Sequence, residues 1–544
     1  MVRMSTASKF GNCVNTSLFP RLLAVVFLAV LAACKERVEN SPPNRNAPAE
    51  AWSTPTWKQV TDGLEESLLS TVVTDPGNSE PHFEQLGPEA TGIEFHNQLN
   101  QENIKNYLLT GAGLAIGDVD ANGLPDLFLV SQDGPNRLYL QVSPWRFVDR
   151  TKAAGIRDTK SWGSGAAFAD LDNNGWLDLY VCNKGAHDEL YLNQGNGIFK
   201  GGFFGRGDAS LRAPTMAAFS DYDRDGDLDF YRTETRLLSI KEMFKHKVLL
   251  VKDEQGVWKA HPSQASQFEM IDGVPRELGT RDQLFRNEGL TANGMPKFVE
   301  STRQAGISLA PEHGLAAVWW DYDNDHWPDL YVSNDFHTPD HLYRNNRDGT
   351  FTEVTGEALP YTSWNSMGSD FADINNDGFF DYLSTDMSAT THFKQKTMMG
   401  AMTDTAWFLD NLEPRQYMRN TMQVNAGNGE FIDVAFFAGL DSTDWTWSGL
   451  FGDLDNDGLE DAFFTNGIER NVQDSDTNNR MSAAKDAGAG IEKLREIFLS
   501  GPRLPERNLA FRNRGGMKFE SVGESWGLGD ETVSHGAVLA DLDR

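Results

Sequence analysis

The sequence predicts an all-β fold, a seven-bladed β-propeller whose last blade is incomplete. Three observations indicate it: an acidic loop motif that recurs six times in register, a repeat period near 50 residues, and four strand-like segments in each repeat. The 544 residues are enough for several ordinary domains. The internal repeat nevertheless favours one large toroidal domain, which we expect to span residues 79–544.

The acidic loop motif is complete at residues 221–229, which read Asp-Tyr-Asp-Arg-Asp-Gly-Asp-Leu-Asp. Aspartates occupy positions 1, 3, 5 and 9, and glycine occupies position 6, where an oxygen-lined calcium loop turns sharply. Carboxylates this close repel one another unless a hard cation lies between them. The sequence therefore predicts calcium as the cofactor, with about six complete loop sites.

Six loops, numbered 1 to 6 in chain order, carry the predicted calcium ligands. The ligands are Asp118, Asp120, Asn122 and Asp126 in loop 1; Asp170, Asp172, Asn174 and Asp178 in loop 2; Asp221, Asp223, Asp225 and Asp229 in loop 3; Asp321, Asp323, Asp325 and Asp329 in loop 4; Asp373, Asn375, Asp377 and Asp381 in loop 5; and Asp453, Asp455, Asp457 and Asp461 in loop 6. A seventh loop begins with Asp541 and Asp543. Because the chain stops at Arg544 inside that loop, we expect a truncated fragment of a longer protein.

Each repeat unit adds further strand signals to its loop. The first positions of loops 1 and 2, 2 and 3, and 4 and 5 lie 52, 51 and 52 residues apart. An apolar run follows each loop, then a Leu-Tyr-x-Asn segment, then a Phe-x-Asp/Glu segment that ends in Ala-Gly-Ile or a similar sequence. With the apolar run before the loop, these segments make four strands, which is one propeller blade.

An EF-hand is excluded by the surroundings of the loops. No helical period flanks them, and position 12 holds Leu129, Arg232 or Phe464 in place of a bidentate glutamate. We therefore expect aspartate at position 9 to supply the closing ligand of a strand-to-strand turn.

The N-terminal end of the repeat region contains a strand without a blade. Residues 83–93 repeat the last strand of a unit without the preceding three. We expect this segment to be the outer strand of the final blade, which begins at residues 536–543, so that the ring closes without an exposed edge.

Three insertions interrupt the repeats, at about residues 233–281, 392–415 and 474–499. The first is predicted to contain a hairpin at 247–259, and a degenerate eighth blade there is the alternative. The third is predicted to be a helix, with apolar residues at helical spacing. Long loops on a rigid scaffold often carry binding, and packing over the blades is the alternative role.

The formal charge of -31 excludes general affinity for nucleic acids, which requires clustered Lys and Arg. The predicted ligands of the six loops include 21 aspartates, so six calcium ions would return about 12 positive charges. The acidic composition therefore has a local explanation in the loops.

The first 33 residues are typical of an export signal, with Arg3, Lys9 and Arg21 before a short apolar run at 22–31. The run ends in Leu-Ala-Ala-Cys34, which resembles the lipobox of bacterial lipoproteins, with Cys34 as the lipidation site. An ordinary secretory signal with a chance cysteine is the alternative. Lys35 at the next position implies, by the same resemblance, an exported lipoprotein anchored to the outer membrane and facing the periplasm or the cell surface.

Residues 34–78 are predicted to be a tether or linker, since 35–56 are rich in Pro, Asn, Ala and charged residues. Residues 57–73 are predicted to form one amphipathic helix. Cys182 is the one cysteine left for the folded domain, so we expect no intrachain disulfide there and a buried, unreactive thiol.

Taken together, the loops, the Leu-Tyr-x-Asn and Phe-x-Asp-x-Thr-x-x-Ala-Gly-Ile segments, and the run Asn-Ser-Met-Gly-Ser-Asp-Phe-Ala-Asp-Ile-Asn-Asn-Asp-Gly at 365–378 resemble the FG-GAP/VCBS repeats of bacterial CRTAC1-like (cartilage acidic protein, ASPIC/UnbV) proteins. The resemblance covers residues 79–544 and implies an integrin-α-like propeller with calcium in the blade loops. It departs at position 6 of loop 4, where His326 replaces glycine, which predicts a weakened site or a changed ion preference.

Two functions follow from these predictions. The first is a calcium-stabilised binding, adhesion or scaffold module of the cell envelope with a protein or glycan partner, membrane contact through the lipid anchor alone, and no catalytic residue. The alternative is a carbohydrate-active enzyme, a polysaccharide lyase or hydrolase, for which the candidate cluster is Asp335, His337, Asp340 and His341. The sequence contains no nucleophile motif, phosphate-binding glycine loop or Cys/His zinc pattern.

Overall fold

The computed structural model describes residues 82–99, 111–157, 161–205, 212–235, 280–335, 338–397 and 414–542, with Gln255 and short strands elsewhere. The chain divides into two compact units. The larger contains Met1–Thr6, Glu80–Asp455 and Leu459–Asp543, and the smaller contains Ala7–Ser79, Asn456–Gly458 and Arg544. The predicted signal and lipidation site at Cys34 lie outside the described residues, except for strand β1 (Val2–Met4).

The smaller unit contains an antiparallel hairpin of β2 (Lys58–Thr61) and β3 (Leu64–Glu66). The prediction of one amphipathic helix over 57–73 is therefore wrong for these residues. The sequence between the two strands is Asp-Gly, which favours a tight hairpin turn over a continuous helix.

Six blades form the repeat region of the larger unit within the described residues, each with four antiparallel strands in chain order, and β28 (Met387–Ser388) adds a fifth strand to the sheet of blade 6. After β4 (Phe83–Gln85), blade 1 has β5 (Leu114–Gly117), β6 (Asp126–Leu129), β7 (Arg137–Ser143) and β8 (Arg146–Asp149); blade 2 has β9 (Trp162–Ala169), β10 (Asp178–Lys184), β11 (Asp188–Asn193) and β12 (Phe199–Phe204); blade 3 has β13 (Pro214–Ser220), β14 (Asp229–Glu234), β19 (Gln283–Leu290) and β20 (Pro296–Glu300). Blade 4 has β21 (Gly314–Trp320), β22 (Asp329–Asn334), β23 (His341–Asn345) and β24 (Phe351–Glu353); blade 5 has β26 (Ser369–Ala372), β27 (Asp381–Ser384), β30 (Thr421–Asn425) and β31 (Phe431–Asp433); blade 6 has β32 (Asp444–Gly452), β33 (Asp461–Asn466), β35 (Leu509–Asn513) and β36 (Phe519–Ser521). The predicted all-β propeller is confirmed with six blades, and the incomplete seventh blade stays a prediction.

The hydrophobic core lies between the blades. Successive residues of a strand point to opposite faces, so the second strand of each blade packs against both neighbouring blades. In blade 3, Phe230 packs with Tyr180 and Leu190 of blade 2, while Tyr231 packs with Leu330 of blade 4. The Leu-Tyr pair of the third strand is buried in the same clusters, which is why this dipeptide recurs in the sequence.

The acidic loops and the insertions lie at opposite ends of the blades. Each acidic loop joins the first strand of a blade to the second, whereas each long insertion joins the second strand to the third. In an antiparallel sheet these two connections are at opposite ends. We call them the loop end and the insertion end.

The insertions contain their own short elements. The first holds two hairpins, β15 (Leu250–Lys252) with β16 (Trp258–Ala260) and β17 (Phe268–Ile271) with β18 (Val274–Glu277), so its described strands do not form the four-stranded sheet of an eighth blade. The remaining elements are α1 (Pro88–Thr91), α2 (Thr355–Ala358), α3 (His392–Thr397), α4 (Ala435–Ala438), β25 (Tyr361–Ser363), β28 (Met387–Ser388), β29 (Arg415–Tyr417), β34 (Glu506–Arg507) and β37 (Glu531–Thr532).

The third insertion forms two helices, α5 (Ser475–Asp486) and α6 (Ile491–Leu499), where the sequence predicted one. The break follows from Gly488, whose φ of 75° is left-handed and ends a helix readily. Leu494 and Phe498 of α6 are buried in one cluster with Met481 of α5 and Trp445 of blade 6. No helix among the described residues is long and apolar enough to cross a membrane.

The segment that begins at β4 lies against blades 6 and 1. The N–H of Phe83 donates to the carbonyl oxygen of Trp526 at 2.7 Å, as Phe199 donates to Ala154 at 2.7 Å and Phe351 to Ala305 at 2.8 Å in other blades. Farther along, Ile93 and Phe95 pack against the Leu127–Tyr139–Phe147 cluster of blade 1. β4 also pairs with β1.

Cys182 is a fully buried free thiol in β10. Burial raises the pKa of this thiol well above its ordinary value, and the nearby Asp188 carboxylate adds to the effect. The predicted burial of Cys182 is confirmed, and its raised pKa supports the prediction of an unreactive thiol.

Candidate metal sites

Each acidic loop is held by its first carboxylate. In loop 3, Asp221 accepts hydrogen bonds from the N–H of Asp225 through Oδ1 and from the N–H of Gly226 through Oδ2, both at 3.1 Å. Gly226 has a φ of 96°, in the left-handed region where a side chain is strained. Aspartate at position 1 and glycine at position 6 therefore favour the turn itself, with or without a cation.

Five loops bring three carboxylates together so that one oxygen of each lies within 4.8 Å of the others. These groups are Asp118, Asp120 and Asp126; Asp170, Asp172 and Asp178; Asp221, Asp223 and Asp225; Asp321, Asp323 and Asp325; and Asp453, Asp455 and Asp461. Each arrangement is placed to hold a metal ion.

The asparagines at position 5 fill the same place as the aspartates there. Asn122 Oδ1 accepts from the N–H of Leu124 at 2.7 Å, as Asp225 Oδ1 accepts from Asp227 at 3.0 Å. In loop 5, Asn375 at position 3 and Asp377 at position 5 are hydrogen-bonded to each other at 3.0 Å. Asp543 lies outside the described residues, and Asp541 stands just before Leu542 at their end.

The aspartate at position 9 has a role that the sequence did not reveal. It is fully buried in all six loops. In loop 2, Asp178 Oδ2 accepts from the N–H of Leu171 at 2.9 Å, and Oδ1 accepts from the N–H of Asn193 at 2.7 Å. The corresponding pairs recur in the other five loops. This carboxylate therefore joins the loop to the third strand of its blade.

Burial is the main cause of high pKa values in these carboxyl groups. It raises the pKa of Asp126, Asp178 and Asp381 to about 7, and the pKa of Asp229 and Asp329 to about 8. Other carboxylates of the same loop raise these values further, while the backbone N–H donors lower them. A bound divalent cation acts in the opposite direction, because it favours the ionised form.

Two buried oxygens indicate that the loops fit a cation. Asp172 Oδ1 in loop 2 and Asp323 Oδ1 in loop 4, both at position 3, are buried and accept no hydrogen bond within the described part of the chain. A buried carboxylate oxygen without a partner is costly. Because all donors in the loops are carboxylate or amide oxygens, they suit a hard ion such as Ca²⁺ or Mg²⁺ rather than a soft metal.

Loop 4 departs from the others in two ways. His326 takes the place of glycine with a φ of 71°, and its N–H still donates to Asp321 Oδ2 at 2.8 Å, so the turn is kept in a strained conformation. Asp325 at position 5 forms an ion pair with Arg347 at 2.5 Å. A cation in this loop would share Asp325 with the guanidinium group.

The Leu-Tyr-x-Asn segments contain residues that connect adjacent loops. The asparagine side chain reaches the backbone carbonyl at position 2 of the loop in the preceding blade. The donor and acceptor pairs are Asn193 and Val119, Asn287 and Leu171, Asn345 and Tyr222, Asn425 and Tyr322, and Asn513 and Ile374, at 2.7 to 3.3 Å. The recurrence of asparagine at the last position of the Leu-Tyr-x-Asn segment was the sequence signal that could have identified these connecting residues.

The candidate catalytic cluster is only partly assembled. Asp340 is fully buried, accepts from Tyr331 Oη at 2.5 Å and from Ser366 Oγ at 2.6 Å, and so holds the turn into β23. His341 Nε2 lies 3.1 Å from Glu312 Oε1. The His341 side chain also lines a cavity of about 300 Å³ together with Tyr343. His337 lies outside the described residues.

Comparison with known proteins identifies the repeats. A family model described as FG-GAP-like repeat matches residues 118–181, 170–231 and 321–384. Cartilage acidic protein 1 of Xenopus tropicalis is 26% identical over 162 residues, and that of Homo sapiens is 27% identical over 123 residues. These matches cover 28% and 22% of this chain and 25% and 19% of the relatives.

Among solved structures, a lectin of Agrocybe aegerita that recognises non-reducing terminal N-acetylglucosamine is 13% identical in sequence to this chain, and the two structures superpose with a TM-score of 0.37. The match covers 77% of this chain and 82% of the lectin.

Proposed function

We propose that this FG-GAP repeat protein, which is similar to cartilage acidic protein 1, is a calcium-stabilised binding or scaffold propeller. The observation that carries the proposal is the repeated loop in which three carboxylates converge on one point. The position 9 carboxylate lies in the hydrogen-bonded framework of the blade, so cation binding at the loop bears directly on blade stability.

The binding role rests on the contrast between a repeated scaffold and irregular insertions. The three insertions emerge at one end of the blades, and rigid scaffolds commonly present ligand-binding loops in this way. We propose a protein or glycan ligand at the insertion end. The export signal and the lipid anchor at Cys34 would place the protein on the outer membrane, and both rest on the N-terminal sequence alone.

A seventh blade position is part of the proposal. Gln141 of blade 1 donates through Nε2 to the carbonyl oxygen of Leu542 at 2.8 Å, which matches the asparagine contacts between the other blades. Leu542 follows Asp541 as Val119 follows Asp118. Together with the contact of Phe83 to Trp526, this supports a seventh position built from residues 83–93 and 536–542.

Thermal unfolding with and without calcium tests the proposal. We expect the midpoint to rise with calcium and to fall when a chelator is added in excess, because ligands that bind the folded state alone stabilise it. Potassium chloride at the same ionic strength is the control for screening of the acidic surface. An unchanged midpoint in excess chelator would show that the loops do not bind structural calcium.

A further inference from the structure

We propose that neighbouring acidic loops bind calcium as a coupled array, with position 4 of one loop as the connection to the next. This inference rests on the proposed calcium binding. It goes beyond it because it assigns a role to residues that are not calcium ligands, above all Asn173, Arg224 and Asn324.

The side chain at position 4 of each of these loops contacts the following loop. Asn173 of loop 2 donates through Nδ2 to the Gly226 carbonyl oxygen of loop 3 at 3.0 Å and to Asp227 Oδ1 at 2.7 Å. Asn324 of loop 4 donates to the carbonyl oxygen of Gly378 in loop 5 at 3.1 Å. Between loops 3 and 4, the guanidinium carbon of Arg224 lies 4.9 Å from the ring centroid of Trp327.

A left-handed backbone aims these side chains. Asn173, Arg224 and Asn324 have φ values of 57°, 58° and 56°. Such a conformation is uncommon outside glycine and is most accessible to asparagine and aspartate. Ala121 has the same conformation in loop 1, with a φ of 55°, but its methyl group can donate no hydrogen bond.

A second connection runs through the interior of adjacent blades. The N–H of Asn345 donates to Asp329 of loop 4 at 2.7 Å, and its Nδ2 donates to the Tyr222 carbonyl oxygen of loop 3 at 2.8 Å. The N–H of Tyr222 in turn donates to Asp229 at 3.3 Å. A continuous path of hydrogen bonds thus joins the position 9 carboxylates of two loops.

These connections predict positive coupling between calcium binding at one loop and calcium binding at the next. A cation in loop 3 orders the turn whose Gly226 carbonyl accepts from Asn173, and an ordered acceptor holds position 4 of loop 2. The second cation then has less ordering left to achieve, so it binds more tightly. By linkage, the effect of loop 3 on loop 2 equals that of loop 2 on loop 3.

Calcium titration of the full chain labelled with 5-fluorotryptophan, followed by ¹⁹F NMR, measures single loops. Trp176 reports on loop 2 and Trp327 on loop 4, and each signal is assigned by substitution with phenylalanine. The variant Asp223→Ala with Asp225→Ser disables loop 3, which lies between them. We expect the calcium affinity of loops 2 and 4 to fall about five-fold or more.

Asn173→Gly then removes one connection and keeps the left-handed backbone. In this background we expect disabling loop 3 to change the affinity of loop 2 by a smaller factor than in the original chain, because the interior contact of Asn287 with Leu171 keeps part of the coupling. The response of loop 4 should be unchanged, because its own contacts to loop 3 are intact. Ala121→Gly, the same position in loop 1, is the matched control and should leave both responses as in the original chain.

The outcomes separate this inference from the proposed function. If calcium shifts neither tryptophan signal in the original chain, calcium binding itself is wrong. If both loops bind calcium but do not respond when loop 3 is disabled, coupling is wrong and calcium binding stands. If Asn173→Gly leaves the full response in loop 2, the assignment of the coupling to position 4 is overturned.

Discussion

The loop end and the insertion end of the blades are stabilised by different physics. At the loop end, backbone N–H donors are directed at a buried aspartate in all six loops, and three carboxylates cluster in five of them. At the insertion end each connection is different. Helices α5 and α6 pack through an apolar cluster. The Nζ of Lys394 lies 2.8 Å from Asp444 Oδ2 and 2.8 Å from Glu506 Oε1.

With the proposed calcium binding, this difference predicts which parts of the molecule depend on a cation. The insertion end compensates its buried charges with basic side chains, as Lys394 does for Asp444 and Glu506. Among the described residues, the carboxylates grouped in loop 2, Asp170, Asp172 and Asp178, form no ion pair with a basic side chain. We therefore expect calcium removal to weaken the loop end selectively.

The largest expected effect is calcium-independent and lies at the insertion end. Phe498→Ala removes a buried ring from the cluster of α5, α6 and blade 6, and we expect it to lower the free energy of unfolding by about 3–5 kcal/mol. Thermal midpoints in calcium and in chelator should fall by the same amount. Glu496→Ala on the exposed side of α6 is the control, and a loss in one condition alone would contradict the comparison.

The next effect is calcium-dependent and lies at the loop end. Asp229→Asn places an amide beside the N–H of Tyr222 or Asn287, so at least one buried donor loses its acceptor. We expect Asp229→Asn to lower the free energy of unfolding by about 3 kcal/mol, and calcium to stabilise the variant less than it stabilises the original chain. Asp348→Asn, in an exposed turn of blade 4, is the control. Equal stabilisation of both variants by calcium would show that loop 3 binds none.

A pH titration separates the two ends by another route. Burial opposes the charged form of His341, but the carboxylates of Glu312 and Glu353 raise its pKa to about 10 from an ordinary value of 6.5. A raised pKa gives stability that is complete below pH 6.5 and is lost as the pH rises toward 10.

His341→Gln should remove this loss of stability at high pH. At pH 7 it should lower the free energy of unfolding by about 1.5–3 kcal/mol, as measured by denaturant unfolding in calcium. The neighbouring Asp340 and Tyr343 remain in the variant and report any other titration of the site. An identical pH profile in the variant would show that His341 is not the group responsible.

The smallest effect tests the departure in loop 4. His326 holds a left-handed φ of 71° without glycine, so His326→Gly should stabilise the protein by about 1 kcal/mol. Gly378→Ala, at the same position in loop 5 with a φ of 90°, should destabilise it by a similar amount. Thermal unfolding in calcium measures both, and a loss of stability in His326→Gly would show that the imidazole has a favourable role.

The sequence allowed prediction of local features and not of their partners. The carboxylates at loop positions 1, 3 and 5 were predicted to lie together because they are only a few residues apart in one turn. The second role of Asp178 was missed because its partner Asn193 lies on another strand. The contact of Asn513 with Ile374 joins residues 139 positions apart.

The sequence by itself determined the positions of the acidic loops, the strand repeat and the propeller class, since a motif of nine residues and a period of two are local properties. The tertiary structure decided how the loops are joined. It placed position 4 of one loop on the turn of the next, set Gln141 against Leu542, and gathered the insertions at one end. These contacts depend on how blades stack, which long-range packing sets and local sequence does not encode.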